Sequence, residues 1–195
     1  MFLGGSEPVL VLASGSPRRR EILSSLGVRF AVEVPEVEEV GAGFGRGAQI
    51  AMMNARMKAE AVAGLYTHRC ILAADTVVCL ADQIFGKPSS MEEATAMLEQ
   101  LSGKAHEVMT GVSMIYRDAG AHWHEVVPTT VYFRQLDKET IQRYLDSIDP
   151  LDKAGGYAIQ DGGEAIIERI EGSYSNVMGL PKRVVREWLK KVDLA

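Results

Sequence analysis

The chain has 195 residues, of which 47% are hydrophobic and 24% charged, and it carries a formal net charge of −5. This composition is typical of a globular domain, and the acidic balance argues against a general nucleic-acid binder, which needs a basic face. We expect no signal peptide and no membrane span, because the N-terminal segment has no basic start and the apolar runs are short. Cys70 and Cys79 lack a CxxC spacing and lie in an apolar stretch, which predicts reduced core thiols.

The first half of the chain alternates predicted strands and helices. Continuous apolar runs predict strands at residues 9–13, 30–34 and 70–80. Helical spacing predicts helices at residues 17–26, which Gly27 ends, and at 49–63. The second of these helices has a predicted buried stripe of Ile50, Met53, Met57 and Ala61. The intervening GAGFGRG segment predicts a flexible loop.

The second half predicts hairpins followed by helices. Residues 84–87 are predicted to pair back on the preceding strand, and strands are predicted at 106–116, 123–133 and 165–170. Ser90 and Glu93 form a capping box for a helix that runs to Leu101, and Asp137 caps a helix that runs to about Ser147. Pro181 opens a last helix. Strands that alternate with helices, with hairpins between them, predict a one-unit α/β protein with a mixed sheet.

Three arginines occupy an unusual place in the segment SGSPRRREIL. Ser16 and the proline after it predict a helix start, so Arg18 and Arg19 fall in the first turn, where the helix dipole disfavours cations. The helical register places Arg19 on the buried face and Arg18 beside it, whereas Arg20 points to solvent. A buried strand, a Gly/Ser turn and a helix N-terminus together form an anion site, which predicts a phosphate ligand. Pairing of these arginines with distant carboxylates is the alternative.

Asp75 is a single carboxylate within the apolar run ILAADTVVCL. A buried carboxylate needs a cation, a metal or a hydrogen-bond donor, and a satisfied structural role is the alternative to a catalytic one. An acidic cluster precedes it at Glu33, Glu36, Glu38 and Glu39, for which a solvated surface is the default interpretation. Glu39 and Asp75 together are a candidate pair for Mg²⁺, which binds oxygen ligands and water.

Three further polar residues are weaker candidates. Lys58 flanks the predicted stripe of its helix together with Asn54, and it either reaches a cleft or extends to solvent. Lys87 precedes a proline and is predicted to be extended. In the glycine-rich segment 152–163, Gln160 carries an amide that can both donate to and accept from a nucleotide base.

Two familiar kinds of site are not predicted. His122 and His124 would share one face of a strand, but the sequence offers no evident third ligand for zinc. The chain also has no GxxxxGK[ST] phosphate loop and no GxGxxG after a strand. Any nucleotide site in this chain is therefore built differently from those two motifs.

Six ordered segments are more specific than any single residue: LASGSPRRREIL, AADTVV, FGKP, LSGKAHEVMTGV, DPLDKAGGYAIQ and IEGSYSNVMGLP. In this order they resemble the Maf nucleotide pyrophosphatases, from about Val9 to the last helix. The resemblance implies a single domain over residues 1–195, with a mixed twisted sheet, flanking helices and two lobes around a central cleft, as in inosine triphosphate pyrophosphatases. It also implies hydrolysis of a nucleoside triphosphate to a monophosphate and pyrophosphate, with Mg²⁺ or Mn²⁺, by a cytoplasmic homodimer.

The resemblance also implies roles for individual residues. Catalysis and metal binding fall on Glu39 and Asp75, and Asp75 is the usual base of the family. The remaining site residues belong to a phosphate-binding turn, two cleft lysines, a strand position and a late loop. The substrate-binding positions are Ser14, Arg18, Arg19, Lys58, Thr76, Lys87, Asp152, Lys153 and Gln160.

Substrate preference is implied by three of these positions. Arg18, Thr76 and Gln160 resemble the branch of the family that acts on dTTP and UTP, rather than the branch that acts on 7-methyl-GTP. The chain departs from the family pattern at Asp149, which replaces a Glu, and at Asp161, which replaces a Gly beside the base-reading amide. Its GAGFGRG loop is also richer in glycine than the usual segment.

Three other functions are alternatives to this interpretation of the sequence. The second branch of the family would act on 7-methyl-GTP. A non-catalytic nucleotide-binding regulator linked to septum formation would keep the arginines but would need neither Asp75 nor Glu39. A sugar-nucleotide transferase would need an acceptor site, for which the sequence has no signature.

Overall fold

A mixed, seven-stranded β-sheet organises the computed structural model, which describes residues 9–195. The strands are β1 (Leu10–Ala13), β2 (Phe30–Glu33), β3 (Cys70–Leu80), β4 (Gln83–Phe85), β5 (Ala105–Tyr116), β6 (Ala121–Phe133) and β7 (Ile167–Glu171). The helices are α1 (Pro17–Ser24), α2 (Gly47–Leu65), α3 (Met91–Leu101), α4 (Lys138–Leu145), α5 (Tyr174–Val177) and α6 (Lys182–Lys191). The predicted α/β class with a mixed sheet is confirmed.

The sheet changes from parallel to antiparallel pairing at its centre. The strand order is β2-β1-β3-β5-β6-β7, and β4 pairs with β3 outside this path. β1 pairs in parallel with β2 and β3, whereas the other pairs are antiparallel. Helices cover both faces of β1, because Leu10 and Leu12 pack in a cluster with α1 and α6, while Val11 and Ala13 pack with α2. This double coverage explains why β1 is apolar throughout.

The buried face of α2 shares Ile50 with the predicted stripe, but Met53 and Ala61 of that stripe are exposed and Met57 is half-buried. Met53 is 43% exposed, and the side chains that face the sheet include Ala51, Ala55, Asn54 and Lys58. The reason is the close approach of the helix to the sheet: a Cβ added to Gly111 of β5 would lie 2.3 Å from the Ala51 carbonyl oxygen. Small side chains such as Ala51 and Ala55 suit so tight a contact better than methionine does. The buried face is therefore centred on these alanines, and Asn54 and Lys58 lie within it instead of beside it.

Other predicted boundaries shift by a few residues. β7 begins at Ile167 instead of residue 165, because Gly163–Ala165 form a 3₁₀ turn. Ser90 caps α3 as predicted, but the Glu93 carboxylate accepts from Ser89 instead of completing the capping box. The short helix α5 has no counterpart in the prediction.

The predicted core thiols are confirmed as buried and free. Burial raises the pKa of Cys70 to about 12, and burial together with the charge of Glu107 raises that of Cys79 to about 11. Both groups are therefore protonated at neutral pH and unreactive. Separately, none of the helices within residues 9–195 is long and apolar enough to cross a membrane.

One feature of the sheet creates the space for a site. β1 pairs with β3 only from Leu10 and Cys70 to Leu12 and Leu72. Beyond that point β3 continues along β5, with Asp75 opposite Gly111. Polar residues in the middle of β3 therefore lie past the end of β1, where the chain turns into α1.

Candidate active site

A cavity of about 720 Å³ opens beyond the end of β1. A volume of this order is typical of small-molecule sites. The cavity brings together all of the candidate residues from the sequence, from both halves of the chain. They are Ser14, Arg18, Arg19, Glu39, Lys58, Asp75, Thr76, Lys87, Asp152, Lys153 and Gln160.

The turn between β1 and α1 forms one wall of the cavity. Ser16 caps α1, because its side-chain oxygen accepts from the backbone N–H of Arg19 at 3.4 Å. The N–H of Ser16 in turn donates to Ser14 Oγ at 3.2 Å, and Pro17 occupies the first helical position. The predicted helix start is therefore confirmed, and the first-turn arginines lie beside the cavity as the register indicated.

Arg19 reaches across the cavity wall without meeting a carboxylate. Its Nε donates to the carbonyl of Gly179 at 2.8 Å, Nη1 donates to Ser14 Oγ at 3.2 Å, and Nη2 donates to Thr76 Oγ1 at 3.3 Å. Burial lowers the pKa of the Arg19 guanidinium, although the charges of Asp75 and Glu39 act in the opposite direction. These bonds use three of five N–H donors, which leaves two for an anion.

Arg18 behaves as the alternative interpretation requires, because it pairs with a distant carboxylate. Its Nη1 lies 3.0 Å from Asp152 Oδ2, and Lys153 Nζ lies 2.6 Å from the other oxygen of the same carboxylate. Burial alone raises the pKa of Asp152, but hydrogen bonds and charges from Lys153 and Arg18 hold it below its ordinary value. Arg20 is exposed, as expected.

Lys58 joins the two candidate carboxylates. Its Nζ lies 2.7 Å from Asp75 Oδ1 and 2.9 Å from Glu39 Oε1. Lys58 and Asp75 are 7% and 6% exposed, whereas 48% of the Glu39 side chain is accessible. Asp75 is therefore a satisfied buried carboxylate, as the structural alternative expects, and it also lines the cavity.

Asp75 and Thr76 face opposite sides of β3, as neighbours on a strand do. Asp75 bonds to α2, whereas Thr76 Oγ1 lies 2.9 Å from Thr110 Oγ1 on β5 and accepts from Arg19. Thr110 also donates to the carbonyl of Asn176 in α5 at 3.1 Å. The side chain of Thr76 thus belongs to a hydrogen-bonded wall that includes the arginine.

Lys87 and Gln160 approach the cavity from two loops. Lys87 is exposed, and within residues 9–195 its ammonium has no ion-pair partner. Gln160 Nε2 donates to Asp161 Oδ2 at 3.2 Å, whereas Gln160 Oε1 is buried and has no hydrogen-bond partner among the described residues. Each side chain therefore retains hydrogen-bonding capacity for a ligand.

The sequence interpretation missed several residues that shape the site. Asn54 is only 2% exposed and bonds directly to Asp75. Its position one helical turn before Lys58 was the signal in the sequence that could have indicated a place in the site. Gly179 and Met178, which follow α5, also line the cavity. The backbone carbonyl of Gly179 accepts a hydrogen bond from Arg19. A motif made of side-chain types gives no sign of such a backbone contact.

The histidine pair lies elsewhere on the sheet. The rings of His122 and His124 are 4.6 Å apart, so they share a face of β6 as predicted, and His124 Nδ1 lies 3.0 Å from Ser113 Oγ. Within residues 9–195, no group of three or more His, Cys, Asp or Glu side chains is arranged to hold a metal ion.

Comparison with known proteins gives the same family as the motifs. A family model described as "Maf-like protein" matches residues 9–192. The dTTP/UTP pyrophosphatase of Bacillus cereus is 46% identical over 186 residues, which cover 95% of this chain and 90% of that protein. The Bacillus anthracis protein of the same name is also 46% identical, over 95% of this chain and 96% of its own length.

Two solved structures show a weaker likeness. The Staphylococcus aureus Ham1 protein aligns with a TM-score of 0.49 at 15% identity, over 93% of this chain and 97% of that one. A HAM1 protein from Coxiella burnetii aligns with a TM-score of 0.44 at 19% identity, over 66% of this chain and 74% of that one. These values are too low to indicate a shared substrate or mechanism. The family model and the Bacillus relatives, in contrast, extend over nearly the whole chain, and this protein therefore belongs to the Maf family.

Proposed function

We propose that this protein is a nucleoside triphosphate pyrophosphatase that hydrolyses dTTP and UTP to the monophosphate and pyrophosphate. One observation carries the proposal: a buried carboxylate and a group of cations face the same nucleotide-sized cavity. The dTTP/UTP pyrophosphatases of two Bacillus species, at 46% identity, support the same substrate class.

The cations account for binding of the triphosphate. Arg19 has unused N–H donors beside the helix N-terminus, and the exposed Lys87 also lines the cavity. Arg18 is already paired with Asp152. It binds a phosphate either by turning away from this carboxylate or with N–H groups that the ion pair leaves free. Guanidinium and ammonium groups screen phosphate charge and stabilise pyrophosphate as a leaving group.

Asp75 is the proposed general base. Its carboxylate takes a proton from a water molecule whose oxygen attacks the α-phosphorus. The bond from the α-phosphorus to the bridging oxygen of the β-phosphate breaks, and its electron pair leaves with pyrophosphate. Lys58 bonds to Oδ1 of Asp75 and Asn54 bonds to Oδ2, so the carboxylate is oriented before the substrate arrives.

The site also fits a divalent cation such as Mg²⁺ or Mn²⁺. Oε1 of Glu39 and Oδ1 of Asp75 both lie within 3 Å of one ammonium nitrogen, so both oxygens already point at a cationic position. Carboxylate oxygens, together with substrate phosphates and water, are the ligands that Mg²⁺ prefers. Glu39 and Asp75 would hold the ion, which when bound supplies neutralisation of charge on the phosphoryl oxygens.

Gln160 supports the preference for uracil and thymine. Asp161 engages its amide N–H, and the buried Oε1 acceptor is left without a partner among the described residues. Uracil and thymine can donate their N3–H to this acceptor, whereas cytosine presents an acceptor there. An unmatched buried polar group costs about 1–3 kcal/mol, equivalent to about one to two decades of discrimination. We therefore expect dTTP and UTP ahead of CTP, with purine nucleotides last.

A substrate panel tests the proposal. Release of pyrophosphate is measured from dTTP, UTP, CTP, dATP, GTP and 7-methyl-GTP, with and without Mg²⁺. We expect the highest kcat/KM for dTTP and UTP, and only with Mg²⁺. If 7-methyl-GTP is the best substrate, the protein belongs to the other branch, and if no nucleotide yields pyrophosphate, the proposed activity is wrong.

Substitution of Asp75 tests the assigned base. Asp75→Asn should abolish turnover while the protein still binds a non-hydrolysable α,β-imido analogue of dUTP. Asp82→Asn is the matched control, because Asp82 is exposed in the turn after β3, and it should keep full activity. Full activity of Asp75→Asn would overturn the catalytic role, and loss of folding would assign Asp75 to structure instead.

Three further properties are inferred from the family resemblance and stay predictions. They are a cytoplasmic location, a homodimer, and a single two-lobed domain over residues 1–195. Analytical ultracentrifugation measures the oligomeric state, and limited proteolysis tests whether the chain behaves as one unit.

A further inference from the structure

The segment that carries Glu39 lacks regular structure of its own. Residues 34–46 connect β2 to α2 and contain neither helix nor strand. Gly43 and Gly45 adopt φ angles of 105° and 147°, which other residues rarely adopt. A glycine-rich backbone loses much conformational entropy when it is ordered, so the position of Glu39 depends on contacts from outside the segment.

Asn54 of α2 supplies such a contact. Its Oδ1 accepts from the backbone N–H of Val40 at 2.8 Å, and its Nδ2 donates to the Val40 carbonyl at 3.0 Å. The same Nδ2 donates to Asp75 Oδ2 at 3.1 Å. The side chain therefore pairs with both backbone groups of the residue next to Glu39, and at the same time it bonds to the other carboxylate of the site.

Lys58 lies one helical turn further along and acts differently. Its ammonium bonds to the Glu39 and Asp75 side chains, which are the groups that would hold a cation and activate water in the proposed function. Asn54 is uncharged and bonds to the backbone at Val40. Its contact with the segment can therefore persist while the carboxylates exchange Lys58 for substrate, metal or water.

We propose that Asn54 is a positioning residue that docks the Glu39 segment onto Asp75 through the backbone of Val40. It offsets the freedom of the glycine-rich loop and sets the spacing of the two carboxylates. The kinetic consequence rests on the proposed function, whereas the docking itself does not.

Two variants and one control test this role. Asn54→Leu keeps the branched shape of the side chain without its hydrogen bonds, and Asn54→Ala removes both. Met53→Ala is the matched control, because Met53 is the preceding residue of α2 and is 43% exposed. Thermal unfolding first establishes that each variant is folded.

Hydrogen exchange of the Val40 amide measures docking without any substrate. In the Asn54 variants we expect exchange at Val40 to be about tenfold faster or more, since the acceptor for its N–H is lost. Exchange of the β3 amides should be unchanged, and Met53→Ala should match the unaltered protein at both places. Unchanged exchange at Val40 would overturn the inference, whatever the enzyme does.

Steady-state kinetics with UTP and Mg²⁺ then separate positioning from binding. We expect kcat to fall by about tenfold to a hundredfold, because a misplaced carboxylate impairs the chemical step. KM should change by less than about threefold, because Arg19 bonds neither to Asn54 nor to the Glu39 segment and keeps its partners. Unchanged kcat despite faster exchange, or failure of both variants to fold, would overturn the positioning role. If the unaltered protein has no activity, the proposed function fails while the exchange result still decides docking.

Discussion

Replacement of Lys58 by methionine should destabilise the protein strongly. The ammonium lies 2.7 Å from Asp75 Oδ1 and 2.9 Å from Glu39 Oε1, and Lys58 is 7% exposed. Removal of one partner from a buried ion pair costs about 3–5 kcal/mol, because the remaining charge stays buried without compensation. We expect the free energy of unfolding to fall by about 3 kcal/mol, the low end of this range. The loss is limited because Asn54 still donates to Asp75 and half of the Glu39 side chain is in water.

Urea unfolding at pH 7 measures this loss for Lys58→Met, Asp75→Asn and the double variant. The double variant should lose less than the sum of the two single losses, because the charge left unpaired in Lys58→Met is absent from it. Mg²⁺ should stabilise Lys58→Met more than the double variant, because an ion can replace the ammonium between two carboxylates.

The exposed residue Lys138 provides the control, and Lys138→Met should change stability by less than about 0.5 kcal/mol. Two results would refute the reasoning about the carboxylates. One is a Lys58→Met protein as stable as the unaltered one, and the other is additive losses in the double variant.

Three further predictions concern the arginines, a buried histidine and base preference. Arg19→Ala should raise the Kd of a non-hydrolysable triphosphate about tenfold or more, whereas Arg20→Ala at an exposed position should change it by less than about twofold; equal effects contradict the assigned register. Burial lowers the pKa of His106 to about 4 from an ordinary 6.5, so the unfolded chain binds more protons between these values. Stability should therefore fall by up to about 3 kcal/mol as the pH falls from 7 to 4, and a His106→Phe variant with the same pH profile in urea unfolding would refute this. Gln160→Glu should reduce the UTP/CTP ratio of kcat/KM without changing the Mg²⁺ requirement, because the new carboxylate loses the bond to Asp161 and is repelled by it, which displaces the oxygen that accepts from the uracil N3–H; an unchanged ratio argues against base reading by Gln160.

Most elements of the fold follow from local patterns. The run at residues 70–80 coincides with β3, and Ser16 and Ser90 cap the helices that they were predicted to start. Such patterns act over a few residues, so a sequence displays them directly. Of the stripe predicted for α2, only Ile50 is fully buried, because the helix packs closely against Gly111 of β5 and hydrophobic periodicity does not show that contact.

The candidate site shows the same division. Every site residue that the motifs and the family resemblance predicted lines the cavity. Neither of them predicted the bonds of Asn54 or the contribution of Gly179. A buried amide and a backbone carbonyl carry no distinctive signal in one sequence. Their roles depend on which groups the fold places within about 3 Å of them.

Local patterns in the sequence predict the order of the strands and of every helix except α5, the helix start that carries the arginines, and the polar residues that lie in apolar surroundings. Hydrophobic periodicity and capping determine these features because they depend on near neighbours. The partners of these residues depend on the folded chain: Arg18 pairs with Asp152, 134 residues away, while Arg19 meets no carboxylate and retains donors for an anion. That choice rests on distances between elements far apart in the chain, and electrostatic and hydrogen-bond energies fall steeply with such distances.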